Sequence, residues 1–260
     1  MTQHSNVNEI ATTTLDWGAA TDIGKVRERN EDAFAVEPET GLFVVVDGMG
    51  GHSGGGLAAQ MIAQDLPAMI ENGLDALKRH SPQAVRNLLK AALAEQNRQL
   101  VAEGSSESGC LGMGATLSLL LIRGERAYAA NVGDSRAYQL RRGRLTQLSV
   151  DHSVVAELLR GGKITPDEAL HHSSQGIVTQ YMGMPEPMNP LVRSVALQGG
   201  DRFLLCSDGL TDLVSEREIA GILRTETRPQ VACGRLVEAA NRAGGHDNIT
   251  AVAVSWPEAE

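Results

Sequence analysis

Aromatic side chains are scarce in this sequence. Three Phe, two Trp and three Tyr make up 3% of 260 residues, too few for the stacking platforms that hold single-stranded nucleic acids. Positive charge is the minority sign, with 23 Lys and Arg against 32 Asp and Glu and a net charge of −9. A nucleic-acid binder needs clustered cations to displace counterions from phosphates, so that class is disfavoured twice over. Cysteine is limited to Cys110, Cys206 and Cys233, with no Cys-x-x-Cys pair or Cys/His cluster. That spacing argues against a disulfide framework and a structural zinc site. The longest apolar runs, 42–46 and 117–122, are strand-sized and far short of a membrane span. The opening MTQHSNVNEI has no basic region followed by an apolar stretch, so no secretory signal is expected. These absences together predict a soluble, cytoplasmic monomer with no nucleic-acid or membrane partner.

What is present reads as globular. Hydrophobic residues reach 42% and charged ones 21%, enough to close a core. Residues 1–14, rich in Thr, Asn and Ser, read as a flexible leader, and 15–260 as one domain. Apolar patterning predicts strands near 33–37, 42–46, 115–122, 126–132, 136–140, 202–206 and 249–255. A hairpin is expected between 134–140 and 144–149, turning at Arg141-Arg142-Gly143. Helical periodicity covers 56–71, 82–102, 153–161, 216–224 and 229–243, with Ser215 and Glu218 spaced as a capping box. Strands, two long helices, then strands with short helices is not the alternation of a doubly wound parallel sheet. The expected class is α/β of the α+β type, with mostly antiparallel strands.

The acidic residues fall at strand mouths. The run Leu42–Val46 leads into Asp47-Gly48, and Arg202–Cys206 leads through Ser207 into Asp208-Gly209. Asp247 immediately precedes a strand, and Asp134 lies between two. Carboxylates converging on one sheet edge repel unless a multivalent cation neutralises them. Hard oxygen donors select Mg²⁺ or Mn²⁺, and a two-metal site of this kind acidifies a water and clamps a phosphoryl group. The plainer alternative is that each Asp-Gly pair is a turn.

The runs Gly24–Asp32, Val46–His52, Gly112–Thr116, Val132–Arg136, Asp151-His152, Leu205–Leu210 and Gly245–Asn248 occur in this order over about 17–255. Together they resemble the bacterial type 2C, metal-dependent protein serine/threonine phosphatases. The resemblance implies a four-layer sandwich, two central antiparallel sheets flanked by helices, with the metal centre at one end. It implies that Asp47 bridges two Mn²⁺ or Mg²⁺ ions, that the Gly48 carbonyl binds one, and that Asp208 and Asp247 complete the shell of the other. Glu31 and Asp32 are expected to hold metal-bound waters, Asp134 with Asp208 and Asp212 a third ion, and Arg27 the substrate phosphate. A metal-bridging hydroxide is expected to attack phosphorus directly, with His52 as general acid toward the leaving alkoxide. The implied partners are phosphorylated proteins, substrates of a Ser/Thr protein kinase.

Competing readings remain for several residues. Arg27 suits a surface ion pair, His52 a solvated loop, and Asp212 a helix start. His152, His171 and His172 are read by default as surface or packing residues, and Met182, Met184 and Met188 as either substrate contacts or packing. Gly56 stands where the resembled family usually has Glu, and 153–190 is expected to contain a variable flap governing substrate access. Gly54-x-Gly56-x-x-Ala59 formally matches a dinucleotide fingerprint, but the acid expected about 20 residues on is missing. The rivals are a nucleic-acid phosphodiesterase and a catalytically inactive regulatory binding module; the latter would be marked by loss of Asp47, Asp208, Asp247 or Arg27.

Overall fold

The computed structural model describes residues 15–50, 54–105 and 112–258. The strands are β1 (Asp16–Asp22), β2 (Asp32–Glu37), β3 (Leu42–Met49), β4 (Gly114–Arg123), β5 (Arg126–Val132), β6 (Arg136–Arg141), β7 (Arg144–Gln147), β8 (Leu191–Ala196), β9 (Arg202–Cys206) and β10 (Ile249–Ser255). The helices are α1 (Gly54–Ala76), α2 (Pro82–Gly104), α3 (Val154–Arg160), α4 (Pro166–Ala169), α5 (Asp208–Thr211), α6 (Glu216–Thr225) and α7 (Pro229–Arg242). Two five-stranded sheets result, ordered β1-β10-β9-β6-β7 and β2-β3-β4-β5-β8. Every pairing within them is antiparallel.

Continuous apolar runs mean that both faces of a strand are covered. In β3, Leu42, Val44 and Val46 pack with Ile62, Leu66 and Leu89 of α1 and α2, whereas Phe43 and Val45 turn inward to Phe203, Leu205 and Val252 of the other sheet. β9 divides the same way, Leu204 and Cys206 facing Leu223 and Leu236 of α6 and α7. Side-chain alternation thus builds four layers: helices, sheet, sheet, helices. β3 and β4 run antiparallel on either side of α1 and α2, which excludes the βαβ crossover that a dinucleotide fingerprint requires.

Two strands escape the sequence pattern. β1, Asp-Trp-Gly-Ala-Ala-Thr-Asp, has little β propensity, but a Cβ at Gly18 would lie 2.2 Å from the Gln230 backbone nitrogen. The glycine is what lets α7 lie against this strand. β8 is an edge strand with no fully buried residue, so alternation is weak there. The expected hairpin forms between β6 and β7, with Arg141 opposite Arg144. Ser215 caps α6 by accepting from the Glu218 N–H, while the reciprocal capping box is instead complete at Thr165 and Glu168.

Candidate active site

The C-terminal ends of β3 and β9, the start of β10 and the β5–β6 turn meet at one end of the sandwich. They enclose a cavity of about 380 Å³. Asp47 and Gly48 come from β3, Asp208 from the first turn of α5, Asp212 from its C-cap, Asp247 from just before β10 and Asp134 from the β5–β6 turn. Arg27 and Glu31 reach it from the β1–β2 connection, and Gly176 and Val178 from the segment between α4 and β8. Eight of the ten residues singled out in the sequence therefore line one wall or another of this space. His52 lies outside the described residues.

Asp32 takes a different place. It sits opposite Asp47 in the β2–β3 register, but its Oδ2 accepts a 2.8 Å bond from the Ser207 hydroxyl, which also accepts from the Thr250 N–H at 2.9 Å. Its carboxylate thus links the two sheets. Gly48 is packed from both sides, because a Cβ there would stand 2.3 Å from the Gly55 carbonyl oxygen and 2.6 Å from that of Glu31. Only glycine allows α1 and the β1–β2 connection to close together on β3.

Burial and mutual repulsion dominate the electrostatics. Asp47 is held well above the usual carboxyl range by burial, then by Asp208 and Asp32. Burial, with Asp208 and Asp151, pushes Asp134 to about 7, and Asp212 rises to about 6 by burial and Asp208. Asp32 rises to about 6 through burial, against relief from its hydroxyl partners, and Asp208 is also raised by burial. Arg27 donates from Nη2 to Asp247 Oδ2 at 2.6 Å, and this bond raises its own pKa.

Buried carboxylate oxygens without partners are the test of a cation here. Asp208 Oδ1 and Asp32 Oδ1 have no hydrogen-bond partner, and an unsatisfied buried anion is costly. The all-oxygen donor set suits Mg²⁺ or Mn²⁺. Among the described residues no three His, Cys, Asp or Glu side chains already close a cage around one point.

Some neighbours were not singled out from the sequence for a role. Thr116 lines the cavity, its hydroxyl sharing a 2.6 Å bond with that of Ser135. Asn248 also lines it. His152 is a buried residue, not a surface one: its Nδ1 accepts from the Gly133 N–H at 3.1 Å and burial lowers its pKa. Met182 and Met184 are buried and Met188 packs on the α1–α2 core, which settles their packing role. No local pattern marks these contacts, since each joins segments far apart in the chain.

A two-sheet sandwich with carboxylates lining a cavity at one end is a framework suited to holding divalent cations. The family model for protein phosphatase 2C matches residues 24–238, and the chain belongs to that family. It is 36% identical over 242 residues to the protein phosphatase PhpP of Streptococcus pneumoniae, covering 92% of this chain and 96% of the relative. The crystal structure of the Mycobacterium tuberculosis serine/threonine phosphatase PstP/Ppp superposes with a TM-score of 0.81 at 33% identity, covering 94% of this chain and 99% of that one. A PstP catalytic domain in complex with two manganese ions superposes at 0.76, also at 33% identity, over 94% and 99% of the two chains. The chain is accordingly a metal-dependent protein serine/threonine phosphatase. Among the described residues, no helix is long and apolar enough to cross a membrane.

Proposed function

We propose that the cavity hydrolyses phosphoserine and phosphothreonine in proteins, with Asp47, Gly48, Asp208 and Asp247 holding two Mn²⁺ or Mg²⁺ ions. Asp134, Asp208 and Asp212 form a third cation position, and Glu31 orients the water around the pair, while Asp32 braces the site through Ser207 instead of holding water as the sequence suggested. The unpartnered Asp208 Oδ1 among raised carboxyls is the observation that carries this reading. Bound cations would neutralise these carboxylates, acidify a water and draw charge from the phosphoryl oxygens.

The chain's own residues supply the rest. Arg27, exposed at the mouth, presents a planar guanidinium fork that matches two phosphate oxygens. In exchanging Asp247 for substrate it trades one anion for another without leaving the site. His52, which follows the Gly-rich run in the sequence, is the residue we assign to protonate the departing alkoxide. The segment 153–190, which brings Gly176 and Val178 to the cavity wall, is the flap we assign to contact the protein around the phosphorylated residue. The substrates are phosphoproteins, products of a Ser/Thr protein kinase.

Hydrolysis of p-nitrophenyl phosphate with and without Mn²⁺ tests the reading. The expected result is Mn²⁺-dependent turnover, with bis-p-nitrophenyl phosphate cleaved far more slowly. Turnover indifferent to Mn²⁺ refutes the metal assignment, and equal rates on both esters point to a diesterase.

A further inference from the structure

The connection from Ile23 to Glu31 joins β1 to β2 and carries Arg27. It has no strand or helix of its own, and most of its side chains are exposed. One amide reaches both of its ends. Asn248 donates from Nδ2 to the Ile23 carbonyl and to the Arg29 carbonyl, each at 2.9 Å. Its Oδ1 accepts from the Glu31 N–H at 2.8 Å. Both donors of the amide and its oxygen are used, and the residue is only 6% exposed.

Only Gln, one methylene longer, also presents two donors and an acceptor in one plane. Asp lacks the donors, and Ser lacks both the reach and the second donor. The first end of the connection has further pins, the Lys25 N–H to the Gly245 carbonyl at 2.7 Å and the Gly24 N–H to Asp22 Oδ1 at 2.8 Å. Asn30 adds a bond to the Thr21 hydroxyl. Asn248 is the side chain that bonds to both ends, and it directly follows Asp247, the partner of Arg27.

We propose that Asn248 is a positioning residue that acts through Arg27. By tying both ends of the 23–31 connection to the strand end bearing Asp247, it sets how the guanidinium meets the substrate phosphate. The inference rests on the reading of Arg27 as the phosphate-binding residue.

A double-mutant cycle on the full chain at saturating Mn²⁺, with a phosphothreonine peptide as substrate, tests it. Asn248→Ala is expected to raise KM about tenfold while kcat stays within about threefold, and the same change in an Arg27→Ala background to move KM less than about twofold. Multiplying effects of the two substitutions on KM overturn the proposal. If Arg27→Ala alone leaves KM unchanged, the phosphate-binding reading of Arg27 falls, and with it the route by which Asn248 acts.

Amide hydrogen exchange of the metal-free protein supplies a readout independent of turnover. Asn248→Ser, a milder change that keeps a small polar group, is expected to speed exchange across 23–31 about tenfold, with β4 unchanged. Native exchange in 23–31 together with native KM in that variant refutes the proposal, whether or not the Ala variant folds.

Discussion

Replacing Asp134 by Asn should make the metal-free protein more stable at pH 8 and leave it almost unchanged at pH 5. In the folded chain the Asp134 carboxyl keeps its proton up to about pH 7, against an ordinary value of 3.8. A raised folded-state pKa means that stability is fullest below about pH 4 and is lost as pH climbs through 7. The gap is worth about 4 kcal/mol at pH 8 and about 2 kcal/mol at pH 5. Asparagine removes this charge penalty but buries an amide costing about 2 kcal/mol. The net gain is therefore about 2 kcal/mol at pH 8 and about zero at pH 5. For a domain of this size that is a rise in Tm of roughly 4–8 °C at the higher pH. Thermal unfolding in EDTA at both pH values measures it. In saturating Mn²⁺ the order should reverse, because the wild-type protein gains more from binding the ion. A variant less stable than wild type at pH 8 without metal, or equally stabilised at both pH values, would refute the argument that burial, reinforced by Asp208 and Asp151, penalises the Asp134 charge.

Asp47→Asn should abolish Mn²⁺-dependent turnover with the fold retained by circular dichroism; near-native activity at saturating Mn²⁺ contradicts its role. His52→Ala should lose more rate on phosphoserine peptides than on p-nitrophenyl phosphate, whose leaving group hardly needs a proton, and equal losses exclude it as general acid. Asp201, fully buried, accepts from Arg141 Nε at 2.6 Å, from Gln139 Nε2 at 3.1 Å and from the Gln198 N–H at 2.9 Å. Asp201→Ala should cost about 1–3 kcal/mol in urea unfolding by leaving the buried Gln139 amide and the Gln198 N–H without their acceptor, while the folded fraction keeps its kcat. A Cβ at Gly56 would meet Glu31 atoms only at ordinary contact distance, 3.8 Å. Gly56→Ala should therefore stabilise the protein by about 0.5–1 kcal/mol through helix propensity; destabilisation in the same assay would show that position 56 needs its glycine.

What could be read from the sequence follows physical lines. β3, β4, β9 and β10 were legible because strands buried on both faces carry unbroken apolar runs, and two of those runs lead into Asp-Gly. β1 was not, since its place is earned by the absence of a side chain at Gly18 rather than by apolar content. The cavity-lining aspartates were legible through their strand-end positions and family resemblance. The sideways turn of Asp32 toward Ser207 was not, and neither was the hold of Asn248 on 23–31. Such bonds join segments some 175 to 225 residues apart, and nothing local in either segment announces its partner.

The seam between the sheets has a consequence for the newly made chain. Asp32 and Asp47 belong to one sheet, while Asp208 and Asp247 flank strands of the other. Neither half of the sandwich is a half-enzyme. A ribosome releases the first pair of carboxylates some two hundred residues before Asp247. Until β10 slots between β1 and β9, the early pair faces an unfinished wall. Catalytic competence therefore cannot precede the docking of the two sheets, because the carboxylates of the cavity come from both.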